Sequence, residues 1–252
     1  MNRQVMARLS FQLYSARKFD LTTILPHLAS VGLTEVEGYS GLYDDLETLR
    51  DNLDVNGLRM TSGHFDLAML RDSPETAIDI AQTLGMDAVI IPNLKPDQRP
   101  ADFDGWQAFG QTLVKLCTPV IDAGLTFGWH NHDYEFLPCT NGRYPIEAIM
   151  EASPDIMLEL DLAWVHVAGL DPVDWLQTYS GRLVAAHVKD RAPDGDCADE
   201  DGWADVGQGV MDWSRITPAM TAAGVDLMVL EHDNPSDAKR FASRSMAAAS
   251  AF

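Results

Sequence analysis

The sequence predicts an α/β fold: a closed (β/α)8 TIM barrel in a single domain over residues 1–252. Three observations carry this. Short apolar runs alternate with longer amphipathic runs, eight times, from end to end. No Pro/Ser-rich linker or shift of composition splits the chain. Reactive polar side chains gather late in the apolar runs, whose early halves are mostly Leu, Val, Ile, Met and Ala. Strict strand–helix alternation implies parallel strands with helices outside, and eight units close a barrel. A doubly wound open sheet is the competitor. It would show a glycine-rich phosphate turn after the first strand, where this chain has SARKFD.

Each element has a local reason. LSFQLYS (9–15) reads as the first strand. Asp20 caps LTTILPHLASVG, whose apolar spacing is helical and which closes at Gly32. LTEVEGYS (33–40) is the second strand, and DDLETLRDNLDVNG (44–57) a helix with a glycine stop. LRMTSGHF (58–65) is the third strand. Ser73-Pro74 opens the next helix, with proline at its first position. MDAVIIP (86–92) is almost wholly apolar, as a strand buried on both faces should be. A long helix spans 102–124, then LTFGWHNH (125–132) is strand five and 144–153 a short helix.

IMLELDLAWV (156–165) reads as strand six, followed by a helix at 171–181 with Asp171 as cap and Pro172 behind it. LVAAHVKD (183–190) is strand seven. Residues 191–211 are rich in Gly and Asp, show no period and read as a long loop in which Gly207 and Gly209 shape a turn. A helix at 212–224, strand eight at 225–233 and a last helix from 235 to 249 complete the pattern.

Composition excludes some functions. The net charge is −20, with 38 acids against 18 bases, and so acidic a surface repels nucleic-acid phosphates and anionic lipid. No run of about 18 apolar residues is present, so no membrane span is expected. MNRQVMARLSFQLYS has basic residues but no apolar h-region and does not read as a signal peptide. Cys117, Cys139 and Cys197 form no CxxC pair, which fits reduced thiols in a cytoplasmic protein.

Barrel active sites lie at the C-terminal ends of the strands. Glu35 and Glu37 fall late in strand two, His64 in strand three, His130 and His132 in strand five. Glu159 and Asp161 fall late in strand six, His187 and Lys189 in strand seven, Glu231 and Asp233 in strand eight. Spacing of two puts each pair on one face. Imidazoles and carboxylates then converge, and a divalent cation offsets the repulsion among the acids. Mixed nitrogen and oxygen donors suit Mn²⁺, Zn²⁺, Co²⁺ or Fe²⁺ better than Ca²⁺.

The ordered set LSFQLYSAR, EVEGY, SGHF, WHNHDYEF, LELDLAWV, HVKD, VGQGVMDW and VLEHD covers nearly the whole chain and resembles the xylose-isomerase-like TIM-barrel superfamily of sugar phosphate isomerases and epimerases. The HNHxxEF and HVKD motifs point to one subgroup of it. The resemblance implies one bound divalent metal ion, Mn²⁺ first, with Zn²⁺, Co²⁺ or Fe²⁺ as alternatives. Its ligands would come from strands five to eight. Asp161, His187 and Glu231 match; the strand-five position, often Glu in the superfamily, is His130 here.

His132 matches a catalytic base of dehydratase members, and Glu135 resembles a substrate-facing acid that orients it or acts as acid. Lys189 is expected to bind a substrate hydroxyl or stabilise an enolate, unless it only pairs with Asp190 or Glu231. Glu37 and His64 match pocket-lining positions. Gln12, Tyr14 and Arg17 belong to the floor or the entrance. Trp164 stands where the 3-epimerases have histidine, and is expected to stack on a sugar ring.

The implied function is a metal-dependent isomerase or epimerase working on a keto-sugar or related polyol by α-proton abstraction through an enediolate. The alternatives are a lyase or dehydratase on a keto-sugar or keto-cyclitol, and a non-catalytic sugar-binding barrel. Expected partners are a small-molecule sugar and, as often in this superfamily, further copies of the chain in a homo-oligomer. No nucleic acid and no membrane are expected.

Overall fold

The computed structural model describes residues 7–252; the first six residues of the N-terminal stretch read against a signal peptide lie outside them. Eight parallel strands close a barrel. They are β1 (Arg8–Gln12), β2 (Glu35–Tyr39), β3 (Arg59–His64), β4 (Ala88–Ile91), β5 (Thr126–His130), β6 (Ile156–Asp161), β7 (Leu183–Val188) and, last in the chain, β10 (Leu227–Leu230), which pairs with both β7 and β1. Between β7 and β10 lies a two-stranded antiparallel ribbon, β8 (Asp190–Arg191) and β9 (Trp203–Ala204).

The outer helices are α1 (Leu21–Ser30), α2 (Leu46–Val55), α3 (Leu67–Asp72), α4 (Pro74–Leu84), α5 (Phe103–Asp122), α6 (Pro145–Ala152), α7 (Leu162–Val167), α8 (Pro172–Thr178), α9 (Trp213–Ala223) and α10 (Ala238–Ala249). Asp20, Asp45, Asp102, Asp171 and Asp237 cap α1, α2, α5, α8 and α10 by accepting first-turn amide protons. Part of the acid excess is therefore structural, placed where helix N-termini favour negative charge. Pro74 starts α4 and Gly85 ends it at φ +73°.

The sequence reading is corrected at four places. The first strand stops at Gln12 and turns through a short 3-10 segment, Leu13–Ala16. A short helix, α3, precedes the one opened by Pro74. The run read as strand six to residue 165 is a strand only to Asp161; from Leu162 it is helix α7, because the Asp161 carboxylate accepts from the amides of Ala163 and Trp164. The 191–211 stretch is not structureless: it carries β9 and the end of β8. Its turn is set by Asp190, which accepts from the Gly207 and Met211 amides and from the Trp213 indole. Gly209 passes so close that a Cβ there would stand 2.2 Å from the Arg191 carbonyl.

The main apolar core fills the layer between barrel and helices. Inside the barrel a small apolar cluster, Ala185, Leu227 and Val229, lies below the polar ends of β7 and β10. Two register irregularities sit just below the site. One extra residue on β3 falls opposite Val36/Glu37, and one on β7 opposite Leu158/Glu159. Such bulges re-aim the side chains beyond them, here His64 and His187.

Candidate active site

The segment FGWHNHDYEF is organised by its middle residue. Strand β5 ends at His130. The buried Asn131 points away from the barrel axis; its Oδ1 accepts from the Asp161 amide at 2.9 Å and its Nδ2 donates to the Asp161 carbonyl at 3.2 Å. This two-point clamp stitches the ends of β5 and β6 together. The residues on either side, His130 and His132, turn the other way, with ring centroids 5.2 Å apart. Sequence reasoning passed over Asn131, although its place between two same-facing histidines was the available signal.

Four imidazoles meet at the strand ends: His130 lies 4.5 Å from His187 and 5.1 Å from His64, centroid to centroid. Carboxylates separate them. Glu37 Oε1 lies 2.8 Å from His187 Nε2 and accepts from Gln12 Nε2 at 2.7 Å. Glu159 Oε2 lies 2.7 Å from His64 Nε2, 3.1 Å from His130 Nδ1 and 3.1 Å from His187 Nε2. Glu231 Oε2 lies 2.9 Å from His187 Nδ1. All of these residues are buried.

Electrostatics reflect this packing. Burial opposes charge on His64, but Glu37 and Glu159 outweigh it and raise the imidazole to about 10. His187 is likewise raised well above the usual histidine range: burial works against it, and Glu159, Glu231 and Glu37 prevail. Burial and the neighbouring His187 hold His130 well below that range. Burial and the Lys189 ammonium lower His132 to about 3, so it is neutral. Burial lifts Asp161 to about 7 against the pull of Lys189. Glu231 stays well below the carboxylate range because Lys189 and His187 overcome its burial.

The donors His130, Asp161, His187 and Glu231 come together, with one ligand atom from each within 4.8 Å of the others. These are the four residues read from the sequence. A second grouping, His64, His130, Glu159 and His187, shares two of them. The first set fits a divalent cation. Asp161 spends Oδ1 on capping α7, while its Oδ2 is buried without a hydrogen-bond partner. Two carboxylates and two imidazoles make the mixed oxygen–nitrogen donor set of such ions.

The remaining expected residues fall in different places. His64, His130, His132, Glu231, Tyr14 and Arg17 line a cavity of about 340 Å³ at this end of the barrel, together with Asp201 from the ribbon. Glu37 is fully buried beneath His64 and does not reach the cavity wall. Glu135 is also fully buried. It accepts from the His132 amide at 2.8 Å and from the Trp129 indole at 3.1 Å, so it holds the backbone of His132, and it does not line the cavity.

Lys189 pairs with Asp233 at 2.6 Å and Glu231 at 3.4 Å, not with Asp190. Trp164, partly buried, packs against His132, Trp203 and Lys189 and does not line this cavity. A larger hollow of about 580 Å³, lined by residues such as Leu9, Met220 and Phe252, offers no ionisable side chain among the described residues.

Residues 25–250 match the family model described as xylose isomerase-like TIM barrel. No curated protein matches by sequence. Among solved structures, a sugar phosphate isomerase/epimerase from Parabacteroides distasonis ATCC 8503 superposes with a TM-score of 0.79 at 22% identity, covering 98% of this chain and 94% of that one. A probable 3-DHS dehydratase from Bacillus anthracis, involved in petrobactin synthesis, gives 0.75 at 15%, covering 95% and 97%. The IOLI protein with a bound zinc atom gives 0.72 at 17%, covering 97% and 95%. At these identities the likeness is one of fold.

Proposed function

Because the chain belongs to the xylose isomerase-like TIM-barrel family, we propose that it is a divalent-metal-dependent isomerase or epimerase of a keto-sugar or related polyol. One observation carries the reading: His130, Asp161, His187 and Glu231 converge at the open end of the barrel, beside a cavity that His132 also lines. These four would hold the metal, with Mn²⁺ first and Zn²⁺, Co²⁺ or Fe²⁺ next. A cation held there supplies Lewis acidity toward a ketone and its neighbouring hydroxyl.

The chain does the rest. Burial keeps His132 neutral, and its Nε2 has no protein hydrogen bond among the described residues, which leaves that lone pair for the α-proton. Glu135 fixes its backbone. Lys189 is fully buried and acts on the developing enediolate through its field. Return of the proton on another face or carbon gives the epimer or isomer.

A lyase is the second reading. Trp164 in place of a second histidine leaves His132 without an acid–base partner from α7, and a dehydratase is among the similar folds. Metal content by mass spectrometry tests the common core, with wild type beside a His187→Ala/Glu231→Ala variant. About one Mn, Fe, Co or Zn per chain, lost in the variant, is expected; no metal in wild type after Mn²⁺ loading overturns it. Keto-sugars in D₂O then separate the readings. Epimerisation leaves deuterium at the α-carbon, and elimination produces an absorbing enone.

A further inference from the structure

We propose that Glu159 is a positioning residue, whose Oε2 sets the metal-binding imidazole of His130 with Nε2 left for the cation. The inference rests on the metal-site reading above. His130 and Glu159 are direct register partners on β5 and β6. Glu159 Oε2 accepts from His130 Nδ1 at 3.1 Å and from His64 Nε2 at 2.7 Å, and lies 3.1 Å from His187 Nε2, which donates to Glu37.

The acceptors around each ring fix where its proton sits. His64 Nε2 lies 2.7 Å from Glu159 Oε2 and 3.2 Å from Glu37 Oε1, so it carries the proton that it donates to Glu159. With Nδ1–H of His130 turned to Glu159, the lone pair left over is that of His130 Nε2. His187 Nδ1 is the nitrogen beside Glu231. His130 Nε2 has no other protein partner among the described residues, and His130 lines the cavity. A carboxylate behind a coordinating imidazole fixes its ring and raises its basicity.

The two histidines do not depend on Glu159 equally. His187 Nε2 donates to Glu37 at 2.8 Å, whereas His130 Nδ1 has Glu159 alone. The effect of Glu159 therefore runs through His130.

Dissociation constants for Zn²⁺ and Mn²⁺ by chelator competition test this on wild type, Glu159→Gln, His130→Glu and the double variant, with thermal midpoints alongside. Glu159→Gln is expected to weaken binding about 10- to 100-fold. In the His130→Glu background, which has no ring to orient, the same change should cost under about threefold. Nitrogen-15 histidine NMR of zinc-loaded wild type needs no variant, and should show His130 bound through Nε2 with a protected Nδ1–H.

Unchanged affinity in Glu159→Gln, an equal loss in both backgrounds, or His130 bound through Nδ1 overturns the proposal while the metal site stands. A lowered thermal midpoint with unchanged affinity makes Glu159 merely structural. Failure of wild type to bind either ion removes the metal reading, and this inference with it.

Discussion

Lys189 Nζ lies 2.6 Å from Asp233 Oδ1, fully buried, with the Trp203 and Trp164 ring centroids 4.3 and 4.9 Å away. Glu231 and Asp161 stand 3.4 and 3.7 Å from the same nitrogen. One ammonium thus offsets three carboxylates, two of them buried and the third, Asp233, 27% exposed. Lys189→Met strands them, and breaking a buried charge pair typically costs about 3–5 kcal/mol. Urea denaturation of the metal-free protein should show that loss; a cost under about 1 kcal/mol would mean the acids share protons instead.

Asp161 has two separable duties. Its Oδ1 caps α7, and its Oδ2 is left for the cation. Asp161→Asn keeps the cap and removes the charged donor, so metal binding should fall while stability stays within about 1 kcal/mol. Asp161→Ala should lose about 1 kcal/mol more, the usual worth of an N-cap. Metal titration and urea midpoints on both variants read the two duties apart.

Glu135 predicts a pH dependence. Burial raises its carboxyl to about 7 from 4.5, so between those values the folded state holds a proton that the unfolded state releases. Its contribution is full below pH 4.5 and is lost as pH rises through 7, by up to about 3 kcal/mol. Glu135→Gln removes this titration. The stability difference between pH 5 and pH 8 should shrink in the variant, even though its amide cannot satisfy both donors and lowers stability overall. An unchanged difference would place the titration elsewhere.

Arg240 ties the ribbon to α10. It lies 2.9 Å from both Glu200 oxygens and 3.0 Å from Asp205, two acids that are themselves buried. Its own side chain is 27% exposed, which moderates the energy. Arg240→Ala should cost about 2 kcal/mol. It should also speed limited proteolysis between residues 192 and 202, the segment that carries Asp201 to the cavity. Equal cleavage rates would show the ribbon held by β8 and β9 alone.

Strand periodicity carried much of the site. Spacing of two made His130 and His132 face one way, and the same rule brought Asp161, His187 and Glu231 to the open end. The strands it named are present, within a few residues at their ends. It failed at residues 162–165, where the apolar run continues but Asp161 starts a helix: a cap depends on which way one side chain turns. It put Glu159 on the face of Asp161 but could not name the imidazoles it meets, because His64 and His130 lie on other strands.

What the sequence alone determined is the alternation, and with it the barrel and the end at which its chemistry gathers. Both arise from local periods of 2 and 3.6 residues that each segment carries in itself. What only the tertiary structure decided is the division of labour. Glu135 and Trp164 left the cavity wall, Glu37 and Glu159 went beneath the histidines, and Lys189 chose Asp233 over its neighbour Asp190. Those outcomes depend on hydrogen bonds between strands distant in the chain. They depend also on the extra residues in β3 and β7, which re-aim the side chains of His64 and His187.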